Sequence, residues 1–202
     1  MENRNKYPAI EPKKCTGQEQ LVSLDGSSIC SVLDFWRWAY SDFISNAERG
    51  VLGEYIVACA LGLTRGCRVP WDKYDLMTET GIAIEVKTSG YIQSWEQEAL
   101  SKAVFGIQPT HGWNRITNKY DTEKKRQADV YVFCLHKHVE QETLDPLKIS
   151  QWEFYLMPTS TLNSKMGNRQ TATLATLIHA GAEKCEFAEL KDRISKIITS
   201  FK

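Results

Sequence analysis

The chain has 202 residues, 42% of them hydrophobic and 25% charged, a balance that suits one folded domain able to bury roughly 70% of its unfolded surface. It nowhere carries the run of about 18 apolar residues that a spanning helix needs, which excludes a membrane protein of that kind. Twenty-five Lys and Arg balance twenty-five Asp and Glu, so the total charge offers no general attraction for a polyanion, although a local basic patch is compatible with it. The opening Met1-Glu2-Asn3-Arg4-Asn5-Lys6 lacks an apolar signal region, so a cytoplasmic protein is expected. The six cysteines, at positions 15, 30, 59, 67, 134 and 185, form no CxxC pair and read as reduced thiols.

Residues 1 to 28 carry Pro8, Pro12, Gly17 and Gly26 without periodicity and read as an irregular N-terminal arm. From Ser31, a plausible cap, Val32, Phe35, Trp36, Trp38 or Ala39 and Phe43 follow helical spacing. A second helix is expected from a cap at Asn46 to a stop at Gly62, with Ala47, Val51, Ala58 and Leu61 as its apolar stripe and Glu54 near the stripe's edge. A hairpin follows, its strands near Tyr74 to Thr78 and Ile82 to Thr88 around the turn Glu79-Thr80-Gly81. Gly106 to Asn118 reads as a loop, and Ala128 to Leu135 as a central strand covered on both faces. Trp152 to Met157 is another strand, ended by Pro158, and helical pieces near Thr171 to His179 and Phe187 to Ser200 finish the chain, the last with Leu190, Ile194 and Ile197 or Ile198 as its stripe. This order predicts an α/β fold, a mixed central β-sheet flanked by helices.

The hairpin carries the chemistry. In Ile82-Ala83-Ile84-Glu85-Val86-Lys87, strand alternation sends Ile82, Ile84 and Val86 to one face and Ala83, Glu85 and Lys87 to the other. Glu85 and Lys87 then stand about 7 Å apart on one face, at a cost of several kcal/mol per ion unless paired or bound to a metal. Asp75, in Tyr74-Asp75-Leu76, can face Glu85 across the turn, where cross-strand neighbours lie only ~5 Å apart. Two carboxylates at that spacing repel, and a hard divalent cation that keeps part of its water resolves the repulsion. Lys87 would stand beside it, placed to orient or deprotonate a water or to neutralise charge developing on a phosphate. The competing reading is a surface hairpin with a Glu85–Lys87 ion pair, worth about 0 to 1 kcal/mol.

Tyr74-Asp75-Leu76 followed by Ile84-Glu85-Val86-Lys87 resembles the PD-(D/E)XK signature of restriction-endonuclease-like nucleases. The likeness extends over roughly residues 46 to 135, and the stretch Trp71 to Trp95 and the strand Arg126 to Phe133 resemble those of uncharacterised bacterial members. It implies a sheet flanked by helices and a Mg²⁺ site, with Mn²⁺ as a substitute. Asp75 and Glu85 would be the ligands, Val86 would lend its carbonyl, Lys87 would assist the attacking water, and Glu54 would join from a preceding helix. Gln93 corresponds to a glutamine that follows the lysine in some branches. Tyr74 stands where the signature has proline, which leaves Asp72 as a rival ligand. The expected activity is hydrolysis of phosphodiester bonds, in DNA, by a homodimer where both strands are cut. The alternative is a nuclease-fold protein without turnover that binds nucleic acid or acts as a scaffold.

Two further groups stand out. Lys119 to Arg126 holds Lys119, Lys124, Lys125 and Arg126 against Asp121 and Glu123, and with Trp95 supplies candidate nucleic-acid contacts, a solvated loop being the plainer reading. Trp113 is a second loop tryptophan suited to stacking on bases. Cys134, His136 and His138 would share one strand face, but no fourth ligand is evident, and a strand end with exposed imidazoles is the better reading.

Overall fold

The computed structural model describes Tyr7 and residues 10–70, 73–114 and 117–199. In chain order, a hairpin of β1 (Gln20–Val22) and β2 (Ser28–Ser31) leads into α1 (Val32–Ala39) and α2 (Asn46–Leu61). Then come β3 (Leu76–Met77), β4 (Ala83–Gly90), β5 (Val104–Gly106), β6 (Thr110–Asn114), β7 (Lys119–Lys125) and β8 (Val130–His136). The chain continues through β9 (Trp152–Pro158), α3 (Thr159–Met166), β10 (Thr171–Thr173), α4 (Leu174–His179), β11 (Glu183–Cys185) and α5 (Leu190–Thr199). The fold is thus α/β, with a mixed central sheet and helices.

Five strands form that sheet in the order β11-β9-β8-β4-β3, with β4 and β8 parallel and the other neighbours antiparallel. All seven residues of β8 are buried, as its β-branched and aromatic run requires, because both faces of the sheet are covered. On one face Ile84, Val86, Val130 and Val132 pack with Ile56 and Val57 of α2 and Leu190 and Ile194 of α5. On the other, Tyr131, Phe133 and Met157 pack with Phe105 of β5, Leu162 of α3 and Leu177 of α4. Each fully buried aliphatic or Phe side chain contributes roughly 1.5 to 3 kcal/mol, so this two-sided core fixes the frame that carries the site.

Helix α2 lies close on β4. A Cβ at Gly53 would overlap Thr88 Oγ1, so only glycine allows this approach. The helix stops at Gly62, whose φ of 73° is left-handed. Its start differs from expectation by one residue: Ser45, not Asn46, supplies the cap, accepting from Glu48 N–H, while Asn46 Oδ1 accepts from Arg49. The buried stripe runs through Arg49, Gly53, Ile56, Val57, Ala58 and Leu61, while Ala47 and Val51 are exposed.

Other departures have local causes. The first hairpin strand is two residues long, because Asp75 N–H makes the last backbone bond to Ile84 O (3.0 Å) and the next β4 donor, Val86 N–H, is taken by the Asp75 side chain. The arm expected to be irregular to residue 28 contains β1, and the expected loop from Gly106 to Asn118 contains β6. Pro158 does not merely end β9; it precedes α3, which the polar Thr159-Ser160-Thr161 had not signalled. Helix α1 has the expected Ser31 cap, completed by Asp34 as a capping box, yet none of its residues is buried and Trp38 is 85% exposed.

Candidate active site

The β3–β4 register pairs Leu76 with Ile84 and Met77 with Ala83, so its continuation sets Asp75 opposite Glu85. Asp75 Oδ2 accepts the Val86 N–H at 2.7 Å, which fixes the carboxylate at the edge of β4 that β3 leaves open. Backbone groups alternate along a strand, and Ile82 O and Ile84 O both face β3, so the Val86 carbonyl points to the same edge as Asp75. Lys87 Nζ pairs with Glu85 Oε1 at 2.5 Å, with Glu85 only 18% exposed and Lys87 34%. The ion pair of the competing surface reading therefore exists, but at a half-buried place and with a third charge across the turn.

Glu54 comes to this edge from α2, one residue after the Gly53–Thr88 contact that sets the helix's height above the sheet. Arg68 holds it in a two-pronged pair, Nε to Oε2 and Nη2 to Oε1, the latter at 2.7 Å. Nothing in the spacing of the sequence marks Arg68, since its partner lies on a different element.

The electrostatics show that these groups act together. Burial, then the charges of Glu85 and Glu54, push the Asp75 carboxyl up to about 7, against smaller lowering effects from the Val86 N–H and Lys87. Burial lowers Lys87, but the Glu85 charge and hydrogen bond, with Asp75 and Glu54 behind them, outweigh it and hold the ammonium above its ordinary value. Lys87 in this arrangement is a cation and hydrogen-bond donor, not a base. Tyr131, beside Glu85 on β8, is raised by burial and then by the Glu85 charge.

Among the described residues no three His, Cys, Asp or Glu side chains form a metal group by themselves. A divalent cation nevertheless fits the donors at this edge. Asp75, Glu85 and the Val86 carbonyl are hard oxygens, and the Asp75 carboxyl, raised first by burial and then by the Glu85 and Glu54 charges, is a group whose ionised form a cation would favour.

The other expected residues are placed elsewhere. Gln93 is buried in a clamp: its Oε1 accepts from Arg49 Nη2 at 2.8 Å and its Nε2 donates to Gly90 O at 2.9 Å. Both ends of the amide serve the loop after β4, which gives Gln93 a structural part. Arg126, grouped with the nucleic-acid contacts, is corrected: it is buried, donating to Ile107 O, Asn163 Oδ1 and Gly167 O. Asp72 lies outside the described residues. Trp95 is exposed in the loop after β4.

Lys124 and Lys125 are exposed on β7 but on opposite sides of the β6–β7 ribbon. The register joins Lys124 to His111 and, beyond an irregularity between His111 and Trp113, Tyr120 to Trp113, where the two rings lie 4.7 Å apart. Asp121 is on the other side, near Gly112, and pairs with Lys73 at 3.5 Å, two residues before Asp75. The ribbon is thus tied to the segment that leads into Asp75. His136, read as an exposed imidazole, is buried against Trp152 and Gln151, while His138 bonds Thr143 Oγ1, so no zinc set forms from Cys134, His136 and His138.

With this geometry in view, the comparison with known families is informative: the family described as bacteriophage T4 endonuclease IV matches residues 33–175. The chain belongs to the bacteriophage T4 endonuclease IV family. The matched span holds Glu54, Arg68, Asp75, Glu85 and Lys87, along with the β6–β7 ribbon, and leaves out α5. It is a nuclease family, so the partner is nucleic acid. No curated protein matches the chain. No helix among the described residues is long and apolar enough to cross a membrane. Beside the carboxylates, this endonuclease-family chain has a cleft of about 430 Å³ with Glu54, Arg68 and Asp75 on its wall.

Proposed function

We propose that the protein is a Mg²⁺-dependent endonuclease of the PD-(D/E)XK type that hydrolyses phosphodiester bonds in DNA. The observation that carries this is the meeting of Asp75, Glu85 and Lys87 at one strand edge, in a chain of a nuclease family. Asp75 and Glu85, with the Val86 carbonyl, would hold the ion, and Glu54 would complete the acidic set. When bound, the ion supplies Lewis-acid stabilisation of the phosphate and a more acidic water.

The chain's own groups have distinct parts in the hydrolysis, in which water oxygen bonds phosphorus and the P–O bond to the leaving sugar breaks. The Val86 N–H holds Asp75 in one orientation. The Lys87 ammonium donates towards the non-bridging phosphate oxygens, where charge grows, and it cannot take the water's proton while charged. Arg68 keeps Glu54 in a fixed rotamer. The β6–β7 ribbon, tied by Asp121 and Lys73 to the segment that leads into Asp75, offers exposed lysines and the Trp113 and Tyr120 rings to the strand beyond the cleaved bond. For concerted cleavage of a duplex this reading calls for two copies, since the described residues of each chain form one such site.

The second reading is a nuclease-fold protein that binds without turnover, and one observation favours it: Glu85 and Glu54 already have cationic partners in Lys87 and Arg68. Incubation of plasmid and single-stranded DNA with Mg²⁺ separates the two. Cleavage lost in Lys87→Ala and Glu85→Ala supports the endonuclease. Cleavage that persists in both removes this site, and binding without any cleavage by the wild type supports the silent module.

A further inference from the structure

We propose that the cleft beside the carboxylates receives the unstacked nucleobase of a nucleotide next to the cleaved phosphodiester. The proposal rests on the nuclease reading and adds to it the part of the substrate that the protein grips.

Three features of the cleft point to this ligand. Its volume of about 430 Å³ falls within the roughly 300 to 1,000 Å³ of small-ligand sites. Its walls are apolar, built from Val51, Ala58, Leu63, Val69 and Leu76, and the Tyr55 ring at its side is 58% exposed, leaving an aromatic surface for a base to stack on. Glu54 and Asp75 belong both to the cleft and to the catalytic edge, so a group filling the cleft lies within one nucleotide of a bond broken at those carboxylates.

Charge selects between the parts of a nucleotide. The same two carboxylates oppose a second phosphate in the cleft. Of its cations, Arg68 is paired with Glu54, and Lys14, whose Nζ donates to Thr64 O at 2.6 Å, leaves one positive charge against the two carboxylates. A planar, neutral and largely apolar group is what remains, and that is a base. A second cavity, of about 140 Å³ at the opposite edge of the sheet, is smaller than such ligand sites and shares no residue with the carboxylate edge.

The test is an abasic scan. Cleavage positions on a synthetic oligonucleotide are mapped first, and a series is then made with one base at a time removed around the cut. The expected result is a loss in kcat/KM of roughly five- to 150-fold at one position adjoining the cut, the range of base–aromatic stacking. Val51→Trp, which fills the cleft from its rim, should lose a similar factor on intact substrate, become insensitive to the missing base, and bind Mn²⁺ as the wild type does in calorimetry. A scan flat at every position overturns the proposal while leaving the nuclease reading standing. A wild type that cuts no oligonucleotide overturns both.

Discussion

Replacing Asp75 by Asn should make the metal-free protein more stable at neutral pH while abolishing cleavage. Burial and the charges of Glu85 and Glu54 raise Asp75 from 3.8 to about 7 in the folded protein. Between those two values the folded state holds a proton that the unfolded state has lost, so stability falls as pH rises through the window. At about 1.36 kcal/mol per unit, the roughly three-unit gap amounts to about 4 kcal/mol as an upper limit at pH 8. Asn cannot ionise, retains an acceptor for the Val86 N–H and escapes this cost. His136 titrates in the opposite sense, since burial lowers it to about 4 and its contribution to stability is lost as pH falls below 6.5. The difference between the two proteins, and not either curve alone, therefore isolates Asp75. The assay is urea unfolding in a chelator at pH 5 and pH 8. The variant should gain over the wild type by a few kcal/mol at pH 8 and by much less at pH 5, and added Mg²⁺ should stabilise only the wild type. Equal gains at both pH values would refute the account of Asp75 as a carboxylate held against its own field.

Lys124→Ala and Lys125→Ala remove cations from opposite ribbon faces, so in titrations at several salt concentrations one of the two should lower oligonucleotide affinity and reduce the salt dependence of binding by about one ion while the other leaves the slope unchanged; two unchanged slopes would remove the ribbon from the interface. Arg126→Ala strips three carbonyl-type acceptors of their donors, at about 1 to 3 kcal/mol for each that stays dry, so its cost of about 3 kcal/mol or more should show in denaturant melts as a loss of fold and not of nucleic-acid affinity alone. Gly53→Ala sets a methyl against Thr88 Oγ1 and should cost about 1 to 3 kcal/mol, offset by about 1 kcal/mol of helix propensity. It should also lower activity by lifting Glu54, and Thr88→Ala, which removes both the overlap and a hydroxyl without a partner, should restore much of each.

The sequence made the core of the site legible because its chemistry is local. Alternation from Ile82 to Lys87 and a three-residue turn were enough to set Asp75 opposite Glu85, and the register agrees. The central strand was legible for the same reason, since six consecutive apolar residues, Val130 to Leu135, are buried on both faces, whereas the buried His136 that follows them was not. What sequence periodicity could not reach were contacts made between elements. Arg126 and Lys124 look alike in a run of cations, yet one donates to Ile107, Asn163 and Gly167 and the other lies on the ribbon's surface. Gln93 carries the right residue type at the right offset, but a buried Arg49 from α2 claims its carbonyl. Arg68 carries no signal at all, because its role is defined by Glu54, fourteen residues away on another element. These three arginines, Arg49, Arg68 and Arg126, share a physical property that explains the pattern. A guanidinium satisfies several acceptors at once in a fixed fork and is held, buried like Arg49 and Arg126 or exposed like Arg68, where the fold delivers them, so its place is decided by tertiary structure. A lysine paired two residues along a strand, as Lys87 is with Glu85, needs nothing beyond the strand itself.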